Sequence, residues 1–155
     1  VNNWLSRKLL EPLLALLKRG MSPNRLALCV ALGIVIGNIP ILGVSTLICT
    51  AIALLFGLNL PAIQIVQAAM APTQILLIIP FVRLGEWLLR APRQPVSVQE
   101  GLALIAQGVG HAIVTLWNAI LHAGFAWVVV APMAVFLFYK ILTPVFAHAA
   151  ARIKQ

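Results

Sequence analysis

Charged residues divide this chain into long apolar blocks. From Leu26 to Val82 no Asp, Glu, Lys or Arg occurs, a run of about 57 positions where one membrane-crossing helix needs about 20. The run therefore folds back or crosses more than once. Before it, residues 4–19 alternate between two faces. Trp4, Leu5, Leu9, Leu13, Leu16 and Leu17 recur at helical spacing, and Arg7, Lys8, Glu11, Lys18 and Arg19 occupy much of the remainder. That pattern predicts a basic amphipathic helix lying in the membrane interface. Gly20 ends it, and Ser22-Pro23 opens the next helix, with Ser as N-cap and Pro at the first helical position.

Four interruptions cut the uncharged run: Pro40 with Gly43, Gly57 to Pro61, Ala71-Pro72-Thr73, and Pro80. The pieces between them are about 10 to 18 residues long, shorter than a clean span. Two readings fit. Either the helices are discontinuous or re-entrant, with freed backbone groups lining a cavity or buried in protein, or they are ordinary spans kinked by proline. Arg90 to Gln99 forms a polar linker with Pro92 and Pro95. A helix over 98–122 follows, opened by the capping-box pair Ser97 and Glu100. Gly124 separates it from an apolar helix over 125–139, Tyr139-Lys140 reads as an interface anchor, and residues 142–155 read as a short interfacial tail.

Composition fixes the class. Of the 155 residues 62% are hydrophobic and 9% charged, with mean hydropathy +1.03; a soluble domain carries about 25% charge. The expected fold is an all-α integral membrane protein: amphipathic N-terminal helix, Pro-broken or re-entrant core over 21–90, cytoplasmic linker over 91–99, and a C-terminal helical pair with a basic tail. The net charge of +8 arises from cations between or beside apolar segments, as the positive-inside rule and an anionic leaflet favour. Nucleic acid is excluded as a partner because no aromatic-basic interleaving is present. Both ends of the chain and the linker are expected on the cytoplasmic side of a bacterial inner membrane. The scattered charges of residues 4–19 do not form a cleavable signal. Cys29 and Cys49 lie in apolar stretches without metal-ligand spacing.

The chain has three acids, three histidines and no Asp, too little for hydrolytic or two-metal chemistry, so neither an enzyme, a metal nor a cofactor is expected. The polar residues of interest are uncharged donors beside helix breaks. A helix restarting after Pro40 presents free N–H groups and the positive end of its dipole, with Asn38, Gly43, Ser45 and Thr46 around it. Such an end suits an anion, although close packing at Gly43 and hydroxyls bonded to their own helix explain the same residues. Thr73 and Gln74 stand at a second restart, with Gln64 and Gln67 before it. Interhelical hydrogen bonding accounts for these equally well. Arg83 and Glu86, one turn apart, can pair; Arg83 is the cation placed to meet a lipid phosphate, or a snorkelling stop-transfer charge. Glu100, Gln107, His111, Thr115, Asn118 and His122 keep to one helical face, which is either solvated or turned to a cavity. His111 and His122 are its candidates for proton coupling.

Gly20-Met21-Ser22-Pro23, Leu26-Ala27, Ala31-Leu32-Gly33, then Gly37, Pro40, Gly43 and Thr46, Leu58-Asn59-Leu60-Pro61-Ala62 and Pro72-Thr73 together resemble a bacterial membrane family known as domain of unknown function twenty sixty-two. The resemblance runs from Gly20 to about Leu89, with Ala71 where that family usually shows Asn. It implies a small inner-membrane protein concerned with lipid carriers or the envelope. The glycine-proline pattern alone is also similar to small re-entrant-helix proteins that handle polyprenyl phosphates. The expected function is a transporter or flippase-like protein for an anionic lipid or polyprenyl-phosphate-type carrier, acting as a homo-oligomer or in a larger complex. The alternative is a non-catalytic accessory or assembly subunit.

Overall fold

The computed structural model describes residues 11–41, 43–93 and 97–153. These form eight helices: α1 (Glu11–Lys18), α2 (Pro23–Gly37), α3 (Val44–Leu55), α4 (Leu60–Ala69), α5 (Ala71–Leu89), α6 (Val98–Gln107), α7 (Val109–Thr115) and α8 (Trp117–Ile153). No strand occurs among the described residues. The start of the amphipathic helix, with Trp4, Arg7 and Lys8, lies outside them, as do Lys154 and residues 94–96. The remainder of that helix is α1, which buries Leu13 and Leu17.

Local chemistry sets most boundaries. Ser22 Oγ accepts from Arg25 N at 3.4 Å ahead of Pro23. Asn59 Oδ1 caps α4 by accepting from Ala62 N at 2.9 Å. The Ser97–Glu100 capping box closes with bonds of 3.1 and 3.2 Å. Each supplies an acceptor to first-turn N–H groups that have no partner within the helix.

The C-terminal third differs from the expected pair of helices. The segment 98–122 is not one helix: Gly108, at φ 133, ends α6 in a conformation closed to other residues, and a second break at Leu116 separates α7 from α8. The expected separator Gly124 lies inside α8, and residues 142–153 are its last turns rather than a tail. A helical glycine costs only about 1 kcal/mol relative to alanine, and burial of Ala119, Ala123 and Ala126 on either side of it outweighs that. Pro132 and Pro144 are likewise carried within α8.

α2 occupies the centre, packed against α4 on one side and α8 on the other. Gly33 and Gly37 let α4 approach: a Cβ on Gly33 would stand 2.8 Å from Val66 Cβ, and one on Gly37 2.8 Å from Met70 Cβ. α3 and α4 form a hairpin, so α4 runs parallel to α2. Leu26 and Cys29 of α2, Cys49 of α3 and Ile63 of α4 are the largest fully buried side chains among the described residues. The first part of α8 packs on α5, with Ala119 and Ala123 against Val82. Its later turns pack on α2 and α1, with Phe146 among Leu13, Leu17 and Leu26. α6 and α7 pack chiefly on each other.

α5 and α8 are long and apolar enough to cross a membrane, and only 22% and 11% of their most apolar windows are buried by the rest of the protein. A core helix of a water-soluble domain would be mostly covered. Large apolar side chains stand exposed along α3 and α8, including Leu47, Leu54, Leu55, Met133 and Phe136.

The basic residues do not share one end. Arg19 and Arg25 gather at the α1–α2 turn, and Lys18 stands beside Arg152. Arg83 and Arg90 belong to the end of α5 where Gly85 meets the backbone of His122. From residue 122 to residue 152 a helix rises about 45 Å. Residues 91–93 of the linker thus stand far along α8 from Arg152.

Candidate functional site

The two helix breaks come together. α2 ends at Gly37, and Asn38 to Gly43 carry the chain over into α3. α4 gives way to α5 at a single residue, Met70, with Pro72 in the first turn of the new helix. Gln74, buried on that first turn, donates Nε2–H to the carbonyl of Ile39 at 2.6 Å. The amide thus satisfies a carbonyl freed by the interruption after α2, as burial of an open backbone requires. Trp127 of α8 reinforces the same place, donating Nε1–H to Val35 O at 3.0 Å.

The expected polar residues mostly meet each other. Gln67 Nε2 donates to Ser45 Oγ at 2.9 Å, and Thr46 Oγ1 stands 3.5 Å from Gln67 Oε1. One turn on, Gln64 Nε2 donates to Thr50 Oγ1 at 3.1 Å and to Thr46 O at 3.3 Å. The result is a ladder between antiparallel α3 and α4 that supplies partners for side chains in an otherwise apolar interface. Ser45 is buried, and its hydroxyl is engaged with an amide.

Two groups at the break are differently placed. Gly43 caps α3 at φ 84 with no side-chain hydrogen bond to the first turn; at that φ a side chain is strained. Among the described residues no side chain caps the N-terminus of α3. Asn38 is 8% exposed, donates Nδ2–H to Ile34 O at 2.8 Å, and has no donor for its Oδ1 among the described residues. That oxygen is an acceptor, so it calls for a donor such as water and not for a phosphate oxygen. Thr73 is exposed on the first turn of α5.

The remaining candidates lie elsewhere. Arg83 is on α5 more than two turns beyond Gln74, and its Nη1 pairs with Glu86 Oε2 at 2.9 Å; the carboxylate side chain is 3% exposed. The predicted pair forms, away from the breaks. His111 is exposed on α7, with its carbonyl accepting from Thr115. His122 is on α8 against Gly85, and its Nδ1 is buried without a partner among the described residues. The polar face from Glu100 to His122 is divided among three helices, two residues on each, so its spacing does not hold the six on one face. Glu100 serves the α6 cap.

Sequence reasoning missed the close approaches. Gly33 and Gly37 carried a readable signal, small residues four apart in an apolar helix. Gly85 and Trp127 carried none, because their partners are about 37 and 92 positions away in sequence and only packing brings them close.

Comparison with curated proteins and with solved structures returned no match. The profile of a bacterial family described as "Uncharacterized protein conserved in bacteria (DUF2062)" matches residues 6–154, so the resemblance seen over residues 20–89 extends through the last third, and the chain belongs to that family.

Proposed function

We propose that this chain is a multi-pass inner-membrane protein that handles an anionic lipid or polyprenyl-phosphate-type carrier, in the manner of a small transporter or flippase. The observation that carries the reading is the meeting of the two interrupted helices, joined by Gln74 and Ile39, beside the uncapped first turn of α3. Discontinuous helices at membrane depth place backbone donors and a positive dipole end where an anionic group can use them. The exposed apolar lengths of α5 and α8 support a bilayer as the surrounding solvent. Ser45 Oγ accepts from Gln67 Nε2 and is buried, so the donors turned outward to a phosphate are backbone N–H groups of α3. The polar groups facing each other across α3 and α4 are spent on one another, and in this reading the protein acts as at least a dimer.

The test is retention of anionic lipid by purified protein, compared between wild type and Thr46→Asp. Thr46 is exposed in the first turn of α3. A carboxylate there suits the helix dipole but repels a phosphate. Retention should fall, whereas Ser45→Ala should reduce it only slightly. Equal retention by wild type and Thr46→Asp in monodisperse samples overturns the reading. The accessory-subunit reading then stands, favoured by the mutual pairing of the polar residues and by the exposed apolar rows on α3 and α8, which suit partner helices.

A further inference from the structure

At the C-terminal end of α5 the chain forms a recess of about 810 Å³ lined by Arg83, Glu86, Trp87, Leu88, Arg90, Ala91 and Arg93. Arg90 holds φ 51 as the α5 C-cap, and Arg93 is exposed beyond it. The buried Glu86 carboxylate anchors Arg83. Trp87 is 74% exposed on the last turn of α5, and Trp117, 53% exposed, opens α8.

Gly85 meets the His122 backbone, so Trp87, two residues beyond the one, and Trp117, five before the other, both flank that contact. Twenty-two residues further along α8 stand Tyr139 and Lys140, with Lys140 Nζ 5.5 Å from the Phe136 ring centre. At 1.5 Å per residue Trp117 and Tyr139 are about 33 Å apart, and the hydrocarbon core of a bilayer is about 30 Å thick. Tryptophan and tyrosine favour the two interfaces. Lys18, Arg19, Arg25, Lys140 and Arg152 lie toward the α1 end and Arg83, Arg90 and Arg93 toward the other, so the charge bias puts the α1 end in the cytoplasm. The amphipathic arm α6–α7 joins α5 to α8 at the opposite interface, with Leu102, Val109 and Val114 exposed.

We infer that the Arg83–Arg93 recess faces the outer leaflet and holds the phosphate of an anionic lipid head group, with the acyl chains lying along Trp87 and the exposed side of α5. Arginines on this side run against the charge bias of insertion, and planar guanidinium groups suit a phosphate. The inference rests on the membrane reading above but not on anion binding at the α3 break.

Two measurements test it. In a background lacking Cys29 and Cys49, Ala91→Cys should react with an impermeant maleimide in intact spheroplasts, and Lys18→Cys only after permeabilisation. The reverse pattern overturns the outer-leaflet assignment, and recovery of the protein in the soluble fraction overturns the membrane reading as well. Retention of phosphatidylglycerol against phosphatidylcholine is then measured by native mass spectrometry for wild type, Arg90→Asn and Arg93→Gln, Asn being chosen because it tolerates positive φ. Each cation near a head group is worth about fivefold, so the double variant should lose about twenty-five-fold of its preference with an unchanged melting temperature. Unchanged preference overturns the site. Displacement of the lipid by millimolar inorganic phosphate identifies a free-anion site and overturns the lipid assignment. Loss in the double variant with normal retention in Thr46→Asp supports the recess and removes the α3 break from lipid binding.

Discussion

Gly85 sets the separation of α5 and α8, and substituting it tests the packing directly. A Cβ at position 85 would overlap the His122 carbonyl and stand 2.9 Å from His122 Cα. Carbon atoms pack at about 3.5–4.0 Å, so the contact with Cα alone requires the helices to part by about 0.6–1.1 Å, and the overlapped carbonyl requires more, against backbone that cannot rotate away. A gap of about 0.5–1 Å forfeits a quarter to a half of each contact's attraction. If the interface around Val82, Ala119 and Ala123 makes roughly 50 heavy-atom contacts of about 0.15 kcal/mol, the loss is about 2–4 kcal/mol. Gly124 provides the control on the same helix. Nothing lies within 4 Å of a Cβ there, so Gly124→Ala should be neutral or stabilise by up to about 1 kcal/mol through helix propensity. Reversible unfolding in mixed micelles, followed by far-ultraviolet circular dichroism, gives both values. Equal stability of Gly85→Ala and Gly124→Ala would refute the close approach and the α5–α8 pairing built on it.

Gln74→Leu leaves the Ile39 carbonyl without its amide partner and should cost about 1–3 kcal/mol in the same unfolding measurement. Gln74→Glu should do so only where the carboxylate is ionised, because only the protonated acid has a donor. A double-mutant cycle on Ser45→Ala and Gln67→Ala should return a coupling of about 0.6 kcal/mol, the usual size for a hydrogen bond between membrane helices; zero coupling would dissolve the ladder. Arg83→Ala should destabilise the fold by about 1.5–3 kcal/mol by removing one partner of the buried Glu86 carboxylate, and Arg83→Lys should recover part of it. Trp127→Phe should lose about 0.5–1.5 kcal/mol and increase hydrogen exchange at residues 35–40 more than at residues 98–107.

Several local features were legible in residue order because their causes lie within a few residues. The caps at Ser22, Asn59 and Ser97 need a side-chain acceptor and N–H groups two or three positions away. The Arg83–Glu86 pair needs one helical turn. The break at Pro40 is written in the loss of a donor and a clash with the preceding turn. The same local logic failed at Gly124 and at the Glu100–His122 stripe. Glycine within an apolar stretch does not distinguish a helix that continues from one that ends, and a spacing argument holds only while the helix does.

The amino-acid sequence by itself determined that this chain is helical, overwhelmingly apolar and basic, and interrupted near Pro40, Gly57 and Pro72. These are consequences of composition, periodicity and backbone chemistry that need no distant partner. Only the tertiary structure decided that Gln74 completes the break after α2, that Ser45 and Thr46 face Gln67 and Gln64, and that Gly85 admits the backbone of His122. It also set the arginines at the end of α5 far along α8 from those at the α1–α2 turn. Each of these depends on the direction in which a helix leaves its turn and on which faces then exclude each other's atoms. A list of neighbouring residues does not contain that information, because contacts across helices are fixed jointly by volume, close approach and the pairing of buried polar groups.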